Sequence, residues 1–217
     1  MPMRCGPLAV CLALIAVASP CLAQNESKVV VSLSPLTAEQ LSVYRAVLAG
    51  WVSQDTPSVN LADRTVPLGG TDPANEIGRS CGKGFDLEPV SPTMVHQFQV
   101  GDLAQLGSSK IALVGEKRGE KAVRDNDPWQ SIQKGRSIDD SVRNGFAHGL
   151  FTLSEIQFDR EHKHAIVSYG FVCGSLCGSD ATVVLEKTAD GWRERNRCSE
   201  WISRAAPASR SRIAEPA

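Results

Sequence analysis

The chain has 217 residues, of which 42% are hydrophobic, which is enough for one domain with a sizeable core. Its 23 Lys and Arg residues nearly balance its 24 Asp and Glu residues, and the formal net charge is −1. A nucleic-acid-binding surface needs a clustered basic face, which this sequence does not supply, so we expect no nucleic-acid partner.

The first 23 residues have the pattern of a secretory signal peptide. Arg4 is their only charged residue, Leu8–Ala18 is an apolar run, and Ala23 ends a small-x-small cleavage signal. We therefore expect cleavage near Ala23 and export of the remaining chain, which would be periplasmic or secreted.

Two alternatives to cleavage start from the same segment. A membrane anchor would need about 20 apolar residues, and Pro20 interrupts the run before that length. Lipidation would use Cys21 as the acceptor, although a proline directly before it fits that signal poorly. No later apolar run is long enough to span a bilayer, so we expect no transmembrane segment. The tail 204–217 has no packable pattern and is predicted to be disordered, which leaves 24–203 as a single domain.

Residues 36–53 predict an amphipathic N-terminal helix. Thr37 and Gln40 have the spacing of a capping box at its start. Apolar residues then recur at helical intervals and form one stripe to bury: Leu41, Tyr44, Val47, Leu48, Trp51 and Val52.

The middle of the chain carries weaker signals. Residues 69–92 are rich in Gly, Pro, Asp and Asn and predict a long irregular excursion that holds Cys81. The run 93–99 is compatible with a short helix and 110–115 with a strand. Residues 116–128 have the composition of a polar, charge-rich connector.

From Gly149 onward the sequence predicts β-structure. Four strand-length runs, rich in β-branched and aromatic residues, are separated by the turn-compatible segments REHK, GSL and TADG. Such a succession forms a four-strand antiparallel meander. We therefore predict an α+β fold, in which the N-terminal amphipathic helix packs on an antiparallel sheet that ends in this meander.

Alternation within these strands predicts which face is buried. If Gly174–Leu176 is a three-residue hairpin loop, Cys173 and Cys177 lie directly opposite each other, with Cα atoms roughly 4.5 to 5.5 Å apart. The opposite face carries three apolar residues that need a second element or a partner to cover them: Ile166, Val172 and Val184. The same register collects the core-facing residues on one side: Ala165, Val167, Tyr169, Phe171, Cys173, Ala181, Val183 and Leu185, with Ile156 and Phe158.

Four cysteines remain after removal of the signal peptide, and an even number in an exported protein favours disulfides. Register places Cys198 on the core face, near Ala181 or Val183. It is then roughly 13 Å along the sheet from the hairpin cysteines, too far for a bond. The cysteine on the excursion is therefore its available partner. The predicted disulfides are Cys173–Cys177 and Cys81–Cys198.

Two other uses of the cysteines fit less well. A four-cysteine zinc site would need two close pairs, and only Cys173 and Cys177 are close in sequence. A redox dithiol at this pair lacks the C-x-x-C helix start that favours a thiolate.

The histidines offer no assembled site. His96 and His148 have no convincing serine or cysteine partner for a catalytic triad. Two others lie at the turn REHK beside Asp159 and Glu161: His162 falls in the turn and His164 directly follows it. A solvated hairpin tip is favoured over a metal site there. We therefore assign no catalytic residue, metal ligand or cofactor.

The C-terminal third carries a series of spaced sequence features. They are an aromatic-started turn, two strand patterns, a C-G-x-L-C-G hairpin, a D-G turn with Trp and a closing W-I-S: Trp129, Ser154 with Phe158, Ala165–Val167, Cys173–Gly178, Asp190–Trp192 and Trp201–Ser203. In these features the chain resembles a class of uncharacterised exported bacterial domains. The resemblance implies the fold and export but no activity, because none is established for that class. The stretch 193–201 is less apolar than the last strand of the class, and Cys198 is a local addition.

These observations favour a non-enzymatic binding or accessory module of the cell envelope, whose partner is another envelope protein or a small ligand. One alternative is a thiol-redox enzyme that uses the Cys173/Cys177 pair, and another is a purely structural role. The candidate contact is the hairpin loop, which a disulfide would stiffen and which presents an apolar tip: Gly174, Ser175, Leu176, Gly178 and Ser179.

Overall fold

The structure is a computed structural model that describes residues 30–32, 34–52, 58–68, 81–91, 93–107 and 109–202. The predicted signal peptide 1–23 and the predicted disordered tail 204–217 lie outside these residues. Within them, no helix has both the length and the apolar character that crossing a membrane requires.

The described chain combines strands with short helices, as the predicted α+β class does. The strands are β1 (Val30–Ser32), β2 (Val59–Ala62), β3 (Met94–His96), β4 (Ile111–Val114), β5 (Leu150–Leu153), β6 (Gln157–Phe158), β7 (His164–Gly174), β8 (Cys177–Thr188) and β9 (Gly191–Ile202). The helices are α1 (Ala38–Ala49), α2 (Glu116–Asp125), α3 (Pro128–Gln133) and α4 (Ile138–Ala147), with a 3₁₀ helix at Val100–Ala104.

The main sheet is mixed, so the prediction of a purely antiparallel sheet is wrong. Its strand order is β4-β2-β5-β7-β8-β9, with β6 paired to β7, while β1 and β3 form a separate parallel pair. β2 runs parallel to both β4 and β5, whereas the pairs from β5 to β9 are antiparallel. Parallel strands need long connections. The segment with α2, α3 and α4 is such a connection, because it carries the chain from the end of β4 back to the start of β5.

The C-terminal strands follow the predicted meander, except that its first strand is broken into β5 and β6, which both pair with β7. In the β7–β8 pairing Ala165 lies opposite Leu185 and Val167 opposite Val183. The predicted set of core-facing residues is confirmed, since all of its members are buried in one cluster.

Helix α1 covers this core face. Its capping box is present, with Thr37 and Gln40 each accepting the other's backbone N–H. Tyr44 is fully buried, and its hydroxyl donates to the Ser154 carbonyl at 2.9 Å. Burial raises the pKa of Tyr44 well above its usual value, so this hydroxyl stays protonated as a donor. Trp51, just after the helix, packs edge-on to core rings.

The opposite face of the sheet, here called the second face, is covered by two separate elements. Ile166 and Val184 are buried against the segment 81–91, which lies over one end. Helix α2 lies over the other end, where a Cβ on Gly119 would come within 2.8 Å of Leu150 Cδ1. The close approach of α2 to β5 therefore depends on glycine at this position.

Candidate functional site

The tip of the β7–β8 hairpin is a two-residue turn, not the predicted three-residue loop. Gly174 pairs with Cys177, which leaves Ser175 and Leu176 for the turn, and a register shift just before Gly174 holds Cys173. The shift keeps Cys173 in the core while its Cα lies 5.0 Å from that of Cys177. The structure therefore places these two cysteines at disulfide distance.

Asp127 anchors the turn from the start of α3. Its buried carboxylate caps the helix by accepting the Trp129 N–H at 2.9 Å, and it also accepts the Ser175 N–H at 3.0 Å. Burial raises the pKa of Asp127, but hydrogen bonds from Ser175 and Trp129 outweigh burial, so the pKa is lowered overall. Gly174 has φ +150°, and a Cβ on it would come within 2.6 Å of Pro128 Cδ. Glycine thus permits the turn to press against α3.

Replacing Asp127 by alanine is expected to lower the free energy of unfolding by about 1 to 2 kcal/mol, because α3 loses its N-cap and the turn its anchor. The folded-state pKa is lowered, so this contribution is fully present above the pKa of an unfolded aspartate. It is lost as pH falls through the lower folded-state pKa. Urea unfolding of both proteins at about pH 7 and about pH 2 should show the difference shrinking in acid. Asp139→Ala, on an exposed residue of α4, is the control, and an equal Asp127→Ala loss at both pH values would contradict the prediction.

A shallow depression, here called the apolar groove, runs between the hairpin tip and helices α3 and α4. Seven large apolar side chains are exposed among the described residues, and three of them line this groove: Trp129, Ile138 and Leu176, with Leu176 52% and Ile138 65% exposed. Scattered apolar residues are ordinary on a surface, but a cluster of them marks a contact site. The groove encloses about 160 Å³ and is lined mainly by Trp129, Ile132, Ile138, Val142, Leu176 and Cys177.

The hairpin cysteines lie beneath this surface. Cys173 is 1% and Cys177 4% exposed, and thiol–disulfide exchange requires an incoming thiolate to reach one of the two sulfurs. This burial weighs against the thiol-redox alternative.

Cys81 and Cys198 also lie at disulfide distance, with Cα atoms 5.5 Å apart. The predicted position of Cys198 on the core face is wrong, because Cys198 packs on the second face beside Ile166. The β8–β9 pairing shifts register between Leu185, which lies opposite Glu194, and Val184, which lies opposite Asn196. The extra residue, Arg195, reverses the alternation of faces before Cys198 is reached, and a second shift falls at Cys198 itself. The cysteine pair consequently joins the segment 81–91 to the sheet that it covers.

The histidines at the REHK turn contact different carboxylates. His164 Nδ1 lies 2.7 Å from Asp159 Oδ2, and His162 Nδ1 lies 2.8 Å from Glu39 Oε2 on α1. The hydrogen bond to Glu39 raises the pKa of His162. Glu161, the other carboxylate of the turn, is exposed. In the part of the chain that the structure describes, no group of three His, Cys, Asp or Glu side chains is arranged to hold a metal ion.

Sequence reasoning missed a buried polar cluster formed by Glu155, His96 and Thr65. Glu155 is 4% exposed, accepts the His96 N–H at 2.8 Å and lies 2.9 Å from His96 Nδ1. The Thr65 hydroxyl donates to the same carboxylate. One signal could have found this cluster, namely an acidic residue within a largely apolar strand run, since a buried carboxylate needs partners.

The remaining histidine of the predicted set, His148, is exposed, and its Nδ1 lies 2.9 Å from the Asn144 carbonyl oxygen.

No protein-family model, curated protein or solved structure matches the chain, so the comparisons assign it to no family. Function therefore has to be inferred from the hairpin tip, where three of the seven exposed large apolar side chains of the described chain line one groove.

Proposed function

We propose that the protein is an exported, non-enzymatic binding module of the cell envelope that contacts a partner protein through the apolar groove and the adjoining turn. The observation that carries the proposal is the clustering of exposed Leu176, Trp129 and Ile138 around one groove. The groove volume lies below the roughly 300 Å³ at which small-molecule pockets begin. An apolar side chain on a partner protein therefore suits it better than a whole small ligand.

The rigidity of the turn supports a contact role. Each rotamer-rich side chain that is immobilised on binding costs about 0.5 to 1.5 kcal/mol, so a surface that is already ordered loses less on association. Asp127 anchors the Ser175 backbone, and the Cys173–Cys177 pair sits directly below. Leu176 is thereby presented in one position before a partner arrives.

Export is supported by the signal-peptide pattern of residues 1–23 and by the four later cysteines, which stand in two pairs at disulfide distance. The resemblance to exported bacterial domains with a C-G-x-L-C-G hairpin points to the same compartment. A partner protein of the envelope would meet the mature chain there.

Replacing Leu176 by aspartate is expected to reduce capture of the partner at least tenfold, because a charge would have to be desolvated at the centre of the contact. The measurement is affinity capture from an envelope extract, quantified by mass spectrometry. Val100→Asp is the matched control, since Val100 is 80% exposed and does not line the groove. Both variants should keep the thermal stability of the natural protein, because both positions are solvent-exposed.

The contact role would be refuted if Leu176→Asp captured the same proteins as the natural chain, or if Val100→Asp lost them equally. A photo-crosslinking amino acid at Ile138 would then identify whether any protein touches the groove. Reduction of Cys173–Cys177 at a mild potential, with the fold retained, would instead favour the thiol-redox alternative.

A further inference from the structure

A second cavity lies on the other side of the hairpin from the apolar groove, between α2 and the second face of the sheet. We call it the α2 cleft. It encloses about 400 Å³, within the roughly 300 to 1,000 Å³ of small-molecule sites. Its size therefore admits a whole small ligand, in contrast to the groove.

The floor of the α2 cleft is apolar and belongs to the sheet. Leu150 and Val172 lie opposite each other in the β5–β7 pairing and both line the cleft. Val172 is 50% exposed, the one residue of the predicted apolar set on this face that neither α2 nor the segment 81–91 buries. Val123 of α2 forms an apolar wall. An apolar side chain of a ligand would find contact on two sides.

The rim of the cleft carries one acidic and one basic side chain that form no ion pair with each other. Glu120 and Arg124 are one helical turn apart on α2, both are exposed, and both line the cleft. Such a pair commonly forms a salt bridge. Here the structure shows no hydrogen bond or ion pair of either side chain with another described side chain. Asp125 forms its ion pair with Lys121, and Arg124 contributes only a longer-range electrostatic attraction that helps to lower the pKa of Asp125.

The remaining acidic group of the cleft is already satisfied. Asp127, at its end, accepts the Trp129 and Ser175 amides, and these bonds occupy its two carboxylate oxygens. Glu120 and Arg124 are therefore the charges available to a ligand. Their opposite signs, about 5 to 6 Å apart at Cβ, favour a molecule that bears both a cation and an anion over one with a single charge.

We propose that the α2 cleft binds a small zwitterion with an apolar side chain, such as a free apolar amino acid. The carboxylate pairs with Arg124, the ammonium pairs with Glu120, and the side chain rests on Val172 and Leu150. A guanidinium matches a carboxylate through two parallel hydrogen bonds, which makes Arg124 the stronger anchor. This site does not depend on the proposed protein contact, because it lies on the other face of the sheet.

The test is a titration of the ¹⁵N-labelled mature protein with L-leucine, followed by amide chemical shifts. We expect saturable shifts at Val123, Thr152 and Val172. N-acetyl-L-leucine lacks the ammonium and L-leucinamide lacks the carboxylate, so each should bind roughly tenfold more weakly. Glycine should also bind more weakly, because it leaves the apolar floor uncovered.

Variants assign the charges. Glu120→Gln and Arg124→Gln should each weaken leucine binding roughly tenfold. Glu116→Gln and Lys117→Gln, on the same helix but outside the cleft lining, should leave it unchanged. The proposal is overturned if millimolar leucine produces no saturable shift, if N-acetyl-L-leucine binds as tightly as leucine, or if the two cleft variants bind like the natural protein. None of these outcomes bears on protein capture through Leu176.

Discussion

Replacing Cys81 and Cys198 together by serine is expected to lower the free energy of unfolding by about 5 kcal/mol. The two residues are 117 positions apart, and a cross-link that closes so long a loop removes much of the conformational entropy of the unfolded chain. The same pair holds the segment 81–91 over Ile166 and Val184, so its loss also opens the second face to water. Guanidinium unfolding of the exported protein, monitored by far-UV circular dichroism, measures the change.

The matched control is Cys173→Ser with Cys177→Ser, which opens a loop of only four residues' separation. The chain-entropy relation gives roughly 2 kcal/mol for it. Equal losses for the two double variants would contradict the assignment of the long bond as the main covalent constraint. A non-reducing peptide map of the mature protein, alkylated before digestion, should be made first. It would establish that both bonds are formed in the cell compartment where the protein works.

Glu155→Ala is expected to destabilise the fold by about 2 to 3 kcal/mol, the upper part of the range for leaving a buried polar group without its hydrogen-bond partner. The Glu155 carboxylate accepts the His96 amide, contacts His96 Nδ1 and receives the Thr65 hydroxyl. Alanine would leave the His96 ring without its acceptor, and an unsatisfied buried donor costs about 1 to 3 kcal/mol. The His96 amide and the Thr65 hydroxyl lose one acceptor each but keep a second one, since the amide also donates to Thr65 Oγ1 at 2.8 Å and the hydroxyl lies 3.2 Å from the His96 carbonyl oxygen. Because His96 ends β3 and Glu155 follows β5, the loss should fall on the junction between the two sheets.

Two further variants separate this effect from a general sensitivity to acidic substitutions. Glu161→Ala removes an exposed carboxylate from the REHK turn and should leave stability unchanged. Glu155→Gln keeps the size of the side chain and one acceptor oxygen, so it should cost less than alanine. If alanine at Glu155 is tolerated as well as alanine at Glu161, the cluster contributes little to the fold. Urea unfolding at neutral pH is the measurement for all three variants.

Local signals in the sequence predict the elements whose structure depends on neighbouring residues. Helix α1 was predicted because its apolar spacing and its Thr37–Gln40 capping box lie within a few turns of chain. The alternation in β7 and β8 predicted the core face because side chains of a strand alternate between faces. In both cases the interactions that decide the structure join residues close in sequence.

The errors occurred where distant contacts decide. The sequence predicts a polar connector over residues 116–128, but residues 116–125 form α2, which approaches β5 closely because Gly119 lies against Leu150. Residues 94–96 form the strand β3 rather than a helix, because pairing with β1 and the contacts of His96 stabilise the extended chain. Local propensity contains neither of these partners.

For the candidate site, the sequence by itself determined the type of element and its chemistry: a hairpin with two cysteines near an apolar tip at Leu176. Only the tertiary structure decided what surrounds that tip, since Asp127, Trp129 and Ile138 come from a crossover of helices that the mixed sheet requires. It also decided the face of Cys198, because a one-residue register shift reverses every side chain beyond it. Local periodicity is encoded in neighbouring residues, whereas register shifts and helix placement depend on the free energy of packing summed over the whole chain.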